Sequence, residues 1–161
     1  MSGLVGLPNN IGSGTIGPPS GTIIKVVSTN GSSTYTTTSD AWGSSTKIAD
    51  LETTHTCASS SNKVILSASF IGIPKTTFLY TDFYKIISGT TTLNLSGEVE
   101  GFARCYHGSA LHVQVQMQYL FSPSSTAAHT YGVSFRSYTN VSAQCGGNDS
   151  ASNLTVMEIQ T

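Results

Sequence analysis

Two pairs of residues in the middle of the chain have a spacing that could support chemistry. Glu98 and Glu100 in "GEVEG" are two apart, so a strand would place both carboxylates on one face, where they could act as acid and base or bind a cation. Cys105 and His107 have the same spacing, and a thiol beside an imidazole can act as a nucleophile. Neither pair comes with a third group that would complete a site. We therefore predict no catalytic residues, and we expect Cys105 to be a packed thiol.

The cysteines and histidines do not form a metal-binding pattern in the sequence. Cys57, Cys105 and Cys145 are odd in number and far apart, which suits neither a disulfide framework nor a CxxC metal site. We expect three free thiols. His112 is a lone histidine in its segment, whereas metal sites need several ligands together. The sequence thus predicts neither a metal nor a cofactor.

The aromatic residues offer a weaker possibility. Trp42, in "DAWGSS", could stack on a sugar together with Tyr35, Tyr80 and Tyr84. A single tryptophan near a turn is more often an anchor in a core or an interface.

The elements that must position these residues are all strands. Short apolar or alternating runs are separated by Gly, Pro, Asn and Ser turn signals, and no helical period is present. This pattern predicts an all-β fold, a single jelly-roll or β-sandwich domain over residues 21–161. The expected strand regions are 22–28, 33–39, 45–57, 62–73, 77–87, 91–106 as one or two strands, 111–120, 129–139 and 153–161.

The stretch 111–120, "LHVQVQMQYL", alternates with period two. Its polar side consists of His112, Gln114, Gln116 and Gln118, where a solvated strand would normally carry Lys, Glu or Arg. Gln can lose water at modest cost when its hydrogen bonds are replaced. These four residues are therefore our candidates for a subunit interface, with a merely solvated polar face as the alternative.

Charge excludes two classes of partner. Only 9% of the residues are charged, against about 25% in a typical soluble domain. The formal net charge is −1, which gives no electrostatic footprint for nucleic acid or for an anionic membrane surface. No run of residues has the length and apolarity of a membrane span.

Residues 1–20 differ from the rest of the chain. They are rich in Gly and Pro, lack the basic and continuous apolar regions of a signal peptide, and cannot form a helix across Pro18 and Pro19. We predict an extended N-terminal arm that anchors the protein on a neighbouring molecule. Its apolar contact residues would be Leu4, Val5, Leu7, Ile11 and Ile16.

Several segments together resemble a group of β-rich virion proteins encoded by tailed bacteriophages. They are "GTIIKVVST", "SSTKIADLETTHTCASSSNKVILSAS", "YLFSPSSTAAHTYGVSFRS" and "NLTVMEI", and "SGLVG…GSGTIG" is similar to the short leader that many of these proteins carry. Members of the group resemble the trimeric jelly rolls of the complement C1q and tumour-necrosis-factor type. The resemblance implies that fold, a homotrimer and synthesis in the cytoplasm of a bacterial host.

The expected function is that of a capsid decoration (cement) protein. It would bind the major capsid protein on the outer surface of the virion and stabilise the particle. We prefer this function to that of a main tail fibre because the chain lacks the long shaft that such a fibre needs. One alternative is a tail-fibre or head-fibre tip that recognises a host glycan through the loops 40–46, 122–128 and 145–152. An alternative of another class is a cell-wall or glycan-active enzyme, whose candidates would be Glu98 and Glu100.

Overall fold

A computed structural model describes residues 18–146 and 151–161. These ranges contain twelve β-strands and two short 3-10 helices, Trp42–Ser44 and Ala49–Leu51. The strands are β1 (Ile23–Gly31), β2 (Thr34–Thr37), β3 (Thr46–Lys47), β4 (Thr53–Thr56), β5 (Lys63–Ile73), β6 (Phe78–Ile87), β7 (Thr90–Thr92), β8 (Ala103–Tyr106), β9 (Val113–Phe121), β10 (Ala128–Ser137), β11 (Ala143–Gly146) and β12 (Ser152–Ile159).

The strands form two antiparallel sheets. Sheet A has the order β1-β12-β5-β11-β2, and β9 also pairs with β5. Because β12 and β9 pair with the same residues of β5, they lie on opposite sides of that central strand. Sheet B has the order β3-β10-β6-β7, with β4 paired to β10 and β8 paired to β6.

The core lies between the two sheets. Along β5 and β12 every second side chain is buried, which is the period of a strand with one face on a core. Leu66, Phe70 and Val156 of sheet A belong to the same buried cluster as Phe83 and Phe135 of sheet B. The predicted all-β sandwich of the jelly-roll type is confirmed.

Two sequence predictions differ from the structure within the domain. The expected strand over 45–57 is divided into β3, the 3-10 helix Ala49–Leu51 and β4, because the helix buries Leu51 in the core. Strand β11 was not predicted, since four residues that end on a glycine are too short a signal. In 91–106 the structure has two short strands, β7 and β8, which is one of the two predicted arrangements, with a long turn between them.

The predicted arm lies almost wholly outside the described residues, which begin at residue 18. The contacts of its five apolar residues therefore stay a prediction. Neither of the two 3-10 helices in residues 18–146 and 151–161 is long or apolar enough to span a membrane.

Candidate functional site

The outer face of sheet A, which points away from the core, has an unusual composition. The strand register aligns its side chains in rows that cross β1, β12, β5 and β9. None of the side chains in the three central rows is charged. In strand order the rows are Val26, Met157, Ile65 and Leu120; Ser28, Thr155, Ser67 and Gln118; and Asn30, Asn153, Ser69 and Gln116.

The first of these rows is apolar on all four strands. Its two ends are largely exposed, Val26 to 56% and Leu120 to 53%. Met157 and Ile65 lie between them and are half-buried. A continuous apolar row of this kind on an outer surface is typical of a protein contact site. We call it the apolar row.

The two polar rows border a shallow groove of about 500 Å³. In the same row as Ser67 and Gln118, the hydroxyls of Ser28 and Thr155 are hydrogen-bonded at 3.1 Å. At the edge of the sheet, Gln114 Nε2 donates to Ser69 Oγ at 2.7 Å. Hydroxyl and amide groups cost less to desolvate than charges when their hydrogen bonds are replaced. The groove is therefore suited to burial against another protein surface.

Strand β9 forms an edge beside this face. In the part of the chain that the structure describes, β9 pairs with β5 alone, so the backbone groups along its other side are not used in a sheet. Natural proteins usually protect such edges with charges, proline or a covering segment. The nine residues Val113–Phe121 contain neither a charged residue nor a proline.

Three of the four predicted interface residues lie on the predicted strand face. Gln114, Gln116 and Gln118 are exposed on the outer face of β9, while Val115 and Met117 are buried. His112 precedes the strand and is exposed. Their role in an interface stays a prediction.

The predicted carboxylate pair is not formed on a strand. Glu98 and Glu100 lie in the turn between β7 and β8, where Gly97 and Gly101 adopt φ of 76° and 73°, a conformation that ends an extended strand. Glu100 Oε2 accepts from Arg104 at 2.5 Å, and both side chains are more than half exposed. The expectation that the two carboxylates share a strand face is wrong.

The Cys105 and His107 pair is also not a nucleophilic site. Cys105 packs against the core, as predicted, and burial raises the pKa of its thiol to about 11. The thiol is therefore protonated at neutral pH. The Nδ1 atom of His107 is hydrogen-bonded to the Ser109 hydroxyl at 3.1 Å.

The aromatic residues proposed for sugar stacking are dispersed or buried. Trp42 Nε1 donates to a backbone carbonyl at 3.0 Å, and its ring lies 5.2 Å from the Arg136 guanidinium. Tyr80 and Tyr84 are buried, and Tyr35 packs against the core. Trp42 is thus an anchor between a turn and sheet B.

A different aromatic cluster is exposed on sheet B. The Phe78 ring is 4.7 Å from Tyr106 and 5.8 Å from Tyr138, and Arg104 lies 5.9 Å from the Phe78 ring. Tyr106 and Tyr138 are more than half exposed. No sequence pattern predicts this cluster, because its members come from β6, β8 and the segment after β10. We call it the aromatic cluster.

The loops expected to recognise a glycan do not form one surface. Thr46, at the end of loop 40–46, pairs with Phe135 near the end of β10. Loop 122–128 instead leads into Ala128 at the start of β10. These two loops therefore lie at opposite ends of that strand, and their role in glycan recognition stays a prediction. Part of the third loop, residues 147–150, lies outside the described residues.

One buried polar cluster was not predicted. His55 on β4 and Glu158 on β12 are joined by a 3.0 Å contact between Nε2 and Oε2, and both are almost fully buried. Cys57 lies two residues after His55 on the same face and is also buried. The spacing in "HTC" was the available signal, but Glu158 is a hundred residues away in the chain.

The protonation states in this cluster follow from its burial. Burial lowers the pKa of His55, which favours a neutral imidazole. Burial and the nearby Glu158 carboxylate raise the pKa of the Cys57 thiol. Burial alone would raise the pKa of Glu158, but hydrogen bonds from Asn62, Ala58 and His55 outweigh it and lower that pKa. The cluster thus contains a neutral imidazole, a thiol and a carboxylate.

Comparison with known proteins finds no family for the chain. The chain matches no protein-family model and no curated protein sequence. The resemblance to bacteriophage virion proteins therefore stays a prediction.

Proposed function

We propose that the chain is a non-enzymatic structural protein that assembles into a homotrimer through sheet A and decorates the outside of a bacteriophage capsid. The observation that supports this best is the apolar row with its uncharged surroundings. A monomeric soluble protein rarely exposes four aligned apolar side chains on an outer face. In an oligomer, a second copy of the chain would bury them.

The size of the face is suited to such a contact. Four strands about 4.8 Å apart and three side-chain rows about 6.8 Å apart give a flat area of roughly 390 Å² per copy. A standard stable interface buries about 800 Å² of accessible surface per partner. The three rows could therefore supply about half of one subunit contact.

Threefold symmetry requires two different surfaces on each copy, since each subunit contacts two neighbours in different ways. The apolar row and the edge of β9 are two such surfaces, and they adjoin at Leu120. We therefore favour a trimer over a twofold dimer, in which one patch would pack against itself.

Attachment to the capsid would be multivalent. A trimer carries three copies of residues 1–20, and once one copy has bound, the others bind at high effective concentration. Burial of the arm's apolar residues would contribute about 1.5–3 kcal/mol for each fully buried side chain, and these residues are Leu4, Val5, Leu7, Ile11 and Ile16. The partner would be the major capsid protein, and the location the outer capsid surface.

The direct test is quantitative mass spectrometry of purified phage particles whose genome encodes the chain. Decoration predicts on the order of hundreds of copies per particle, because a symmetric shell repeats each binding site many times. A copy number in the range of a few to some tens would support the fibre-tip alternative. Absence from the particles would refute a virion role.

The aromatic cluster favours one second candidate, recognition of a glycan. Exposed Tyr106 and Tyr138 beside Phe78 provide ring faces, and Arg104 provides hydrogen-bond donors. The Tyr106→Ala variant should then lose binding to host surface glycans, while the Leu111→Ala variant, which changes another exposed apolar residue, should keep it. Equal binding by both variants would refute this candidate.

The glycan-active enzyme has the least support. Its candidates, Glu98 and Glu100, lie in an exposed turn, and Glu100 is paired with Arg104. Incubation with bacterial cell-wall material should therefore release no soluble sugars. Release of sugars that is lost in Glu98→Gln would overturn this view.

A further inference from the structure

The buried cluster of His55, Cys57 and Glu158 joins the two sheets at one end of the sandwich. His55 and Cys57 come from β4 and the residue after it, on sheet B, and Glu158 comes from β12 of sheet A. Their exposures are 1%, 6% and 1%. A glutamate is seldom fully buried without a partner that compensates for the lost water, whereas a buried cysteine is common.

The three side chains have the donor types and proximity of a metal site. One nitrogen, one sulfur and one oxygen atom lie within 4.8 Å of one another. Zn²⁺ binds these atoms at about 2.0–2.3 Å, which places tetrahedral ligands roughly 3.3–3.8 Å apart. The separations in the cluster exceed that range by at most about 1 Å, which side-chain rotations would have to close on binding.

The surroundings of Glu158 orient its carboxylate toward the cluster. Its Oε1 atom accepts from the backbone N–H of Ala58 at 2.7 Å and from Asn62 Nδ2 at 2.5 Å. This leaves Oε2 directed at His55, 3.0 Å from Nε2. Supporting hydrogen bonds of this kind hold carboxylate and histidine ligands in place at metal sites.

An independent observation also indicates a ligand. His129, directly opposite His55 on β10, is 1% exposed, and its Nε2 is buried without a hydrogen-bond partner in the described ranges. An unsatisfied buried polar atom costs about 1–3 kcal/mol. This nitrogen would gain a partner if a metal ion were bound at the cluster, where His55 would bind the ion through Nε2, the nitrogen that faces Glu158.

We propose that His55, Cys57 and Glu158 bind one thiophilic divalent transition-metal ion, with His129 as a candidate fourth ligand. Zn²⁺ is the favoured ion. A thiolate with imidazole and carboxylate selects such ions over Ca²⁺ and Mg²⁺, which prefer sites made only of oxygen ligands. On binding, the metal replaces the Cys57 thiol proton, which leaves to solvent. The ion would fasten the two sheets together, and this role does not depend on the proposed virion function.

The experiment uses the full chain after treatment with a chelator, titrated with Zn²⁺ and with Co²⁺. We expect one equivalent of either metal per chain and, with Co²⁺, a near-ultraviolet charge-transfer band that requires a thiolate ligand. X-ray absorption of the Zn²⁺ form should show one sulfur at about 2.3 Å and nitrogen or oxygen ligands at about 2.0–2.2 Å. At a Zn²⁺ concentration about 100 times the Kd, binding should also stabilise the fold measurably.

Two variants distinguish metal binding at this cluster from metal binding elsewhere on the chain. Cys57→Ser should abolish the Co²⁺ band and weaken Zn²⁺ binding at least tenfold, while the matched control Cys105→Ser should behave as the unchanged chain. If Cys57→Ser does not fold, X-ray absorption of the unchanged chain decides the question alone. The proposal is overturned if the chain binds no metal, if the band is absent, or if Cys57→Ser binds normally, as it would when exposed histidines hold the ion.

Discussion

The Leu120→Lys variant of the proposed trimer should dissociate into monomers. Leu120 lies at one end of the apolar row, on the edge strand β9, and is 53% exposed in the single chain. Full burial of a leucine side chain is worth about 1.5–3 kcal/mol, so burying the exposed half contributes on the order of 1 kcal/mol per copy. Three copies in a trimer give roughly 3 kcal/mol for this one position.

The introduced charge adds to this loss. The new ammonium group in the contact would have to be desolvated or reach out to water, and burying a charge costs several kcal/mol unless it is paired. Since every 1.4 kcal/mol is a factor of about ten, Leu120→Lys should weaken trimer formation at least 100-fold. The fold itself should change in stability by no more than about 0.5 kcal/mol, because the side chain is on the surface of the single chain.

Sedimentation velocity over a range of micromolar concentrations measures the effect. The unchanged chain should sediment as a trimer, and Leu120→Lys as a monomer with the same thermal unfolding midpoint. Val99→Lys is the matched control, since Val99 is 77% exposed in the turn before β8, away from sheet A. If Leu120→Lys remains trimeric, or if both variants dissociate equally, the outer face of sheet A is not the contact. A monomeric unchanged chain would refute the trimer itself.

Three further predictions concern the packing of sheet B, the buried carboxylate of Asp82 and the arm. Gly132→Ala should destabilise the fold by about 1–3 kcal/mol, because its added Cβ would overlap the Tyr84 ring, whereas Gly108→Ala, with open space around it, should have no effect on thermal unfolding. Burial raises the pKa of Asp82 above its ordinary 3.8 despite its hydrogen bonds from Ser96. The contribution of this raised pKa to the free energy of unfolding is fully present below pH 3.8 and is lost as the pH rises through the folded-state pKa. From about pH 3 to 7, the thermal unfolding midpoint of the unchanged chain should therefore fall relative to that of Asp82→Asn, and a pH-independent difference would contradict the shift. Deletion of residues 2–17 should leave a folded trimer that no longer binds undecorated capsids in a pelleting assay, and full binding by the truncated chain would show that the arm is dispensable.

Sequence patterns predicted those parts of the fold that a single segment determines. The alternation in 111–120 predicted which face of β9 is buried, since the period of two is a local property of a strand. The alternation in 153–159 likewise puts Leu154, Val156 and Glu158 on one side of β12, and all three are buried. The turn around Glu98 and Glu100 was missed because glycines flanking the pair override the extended pattern.

The candidate sites depend on register and on contacts between sheets, which no local pattern contains. The apolar row joins Val26, Met157, Ile65 and Leu120 from four distant segments, and each looks like an isolated apolar residue in the sequence. The same holds for His55 and Glu158, which approach each other only across the sandwich. Long-range strand pairing determines which residues meet at both sites, and the local patterns of a single sequence do not contain it.

The composition of β5 supports the view that this domain is only part of an assembly. Strands that are buried on both faces are nearly continuous apolar runs, whereas a strand with one solvated face alternates with polar residues. "KVILSASFIGI" carries Ile65 and Ile71 on the face that the single chain leaves half-exposed, in addition to the buried Leu66 and Phe70 on the other. Its outer face also carries Ser67 and Ser69 of the two polar rows, so β5 lies between these two cases, with more apolar residues on that face than a solvated strand usually has. Because β12 places Met157 beside Ile65 on that same face, the excess of apolar residues extends across neighbouring strands, as expected of a surface that a second copy of the chain covers.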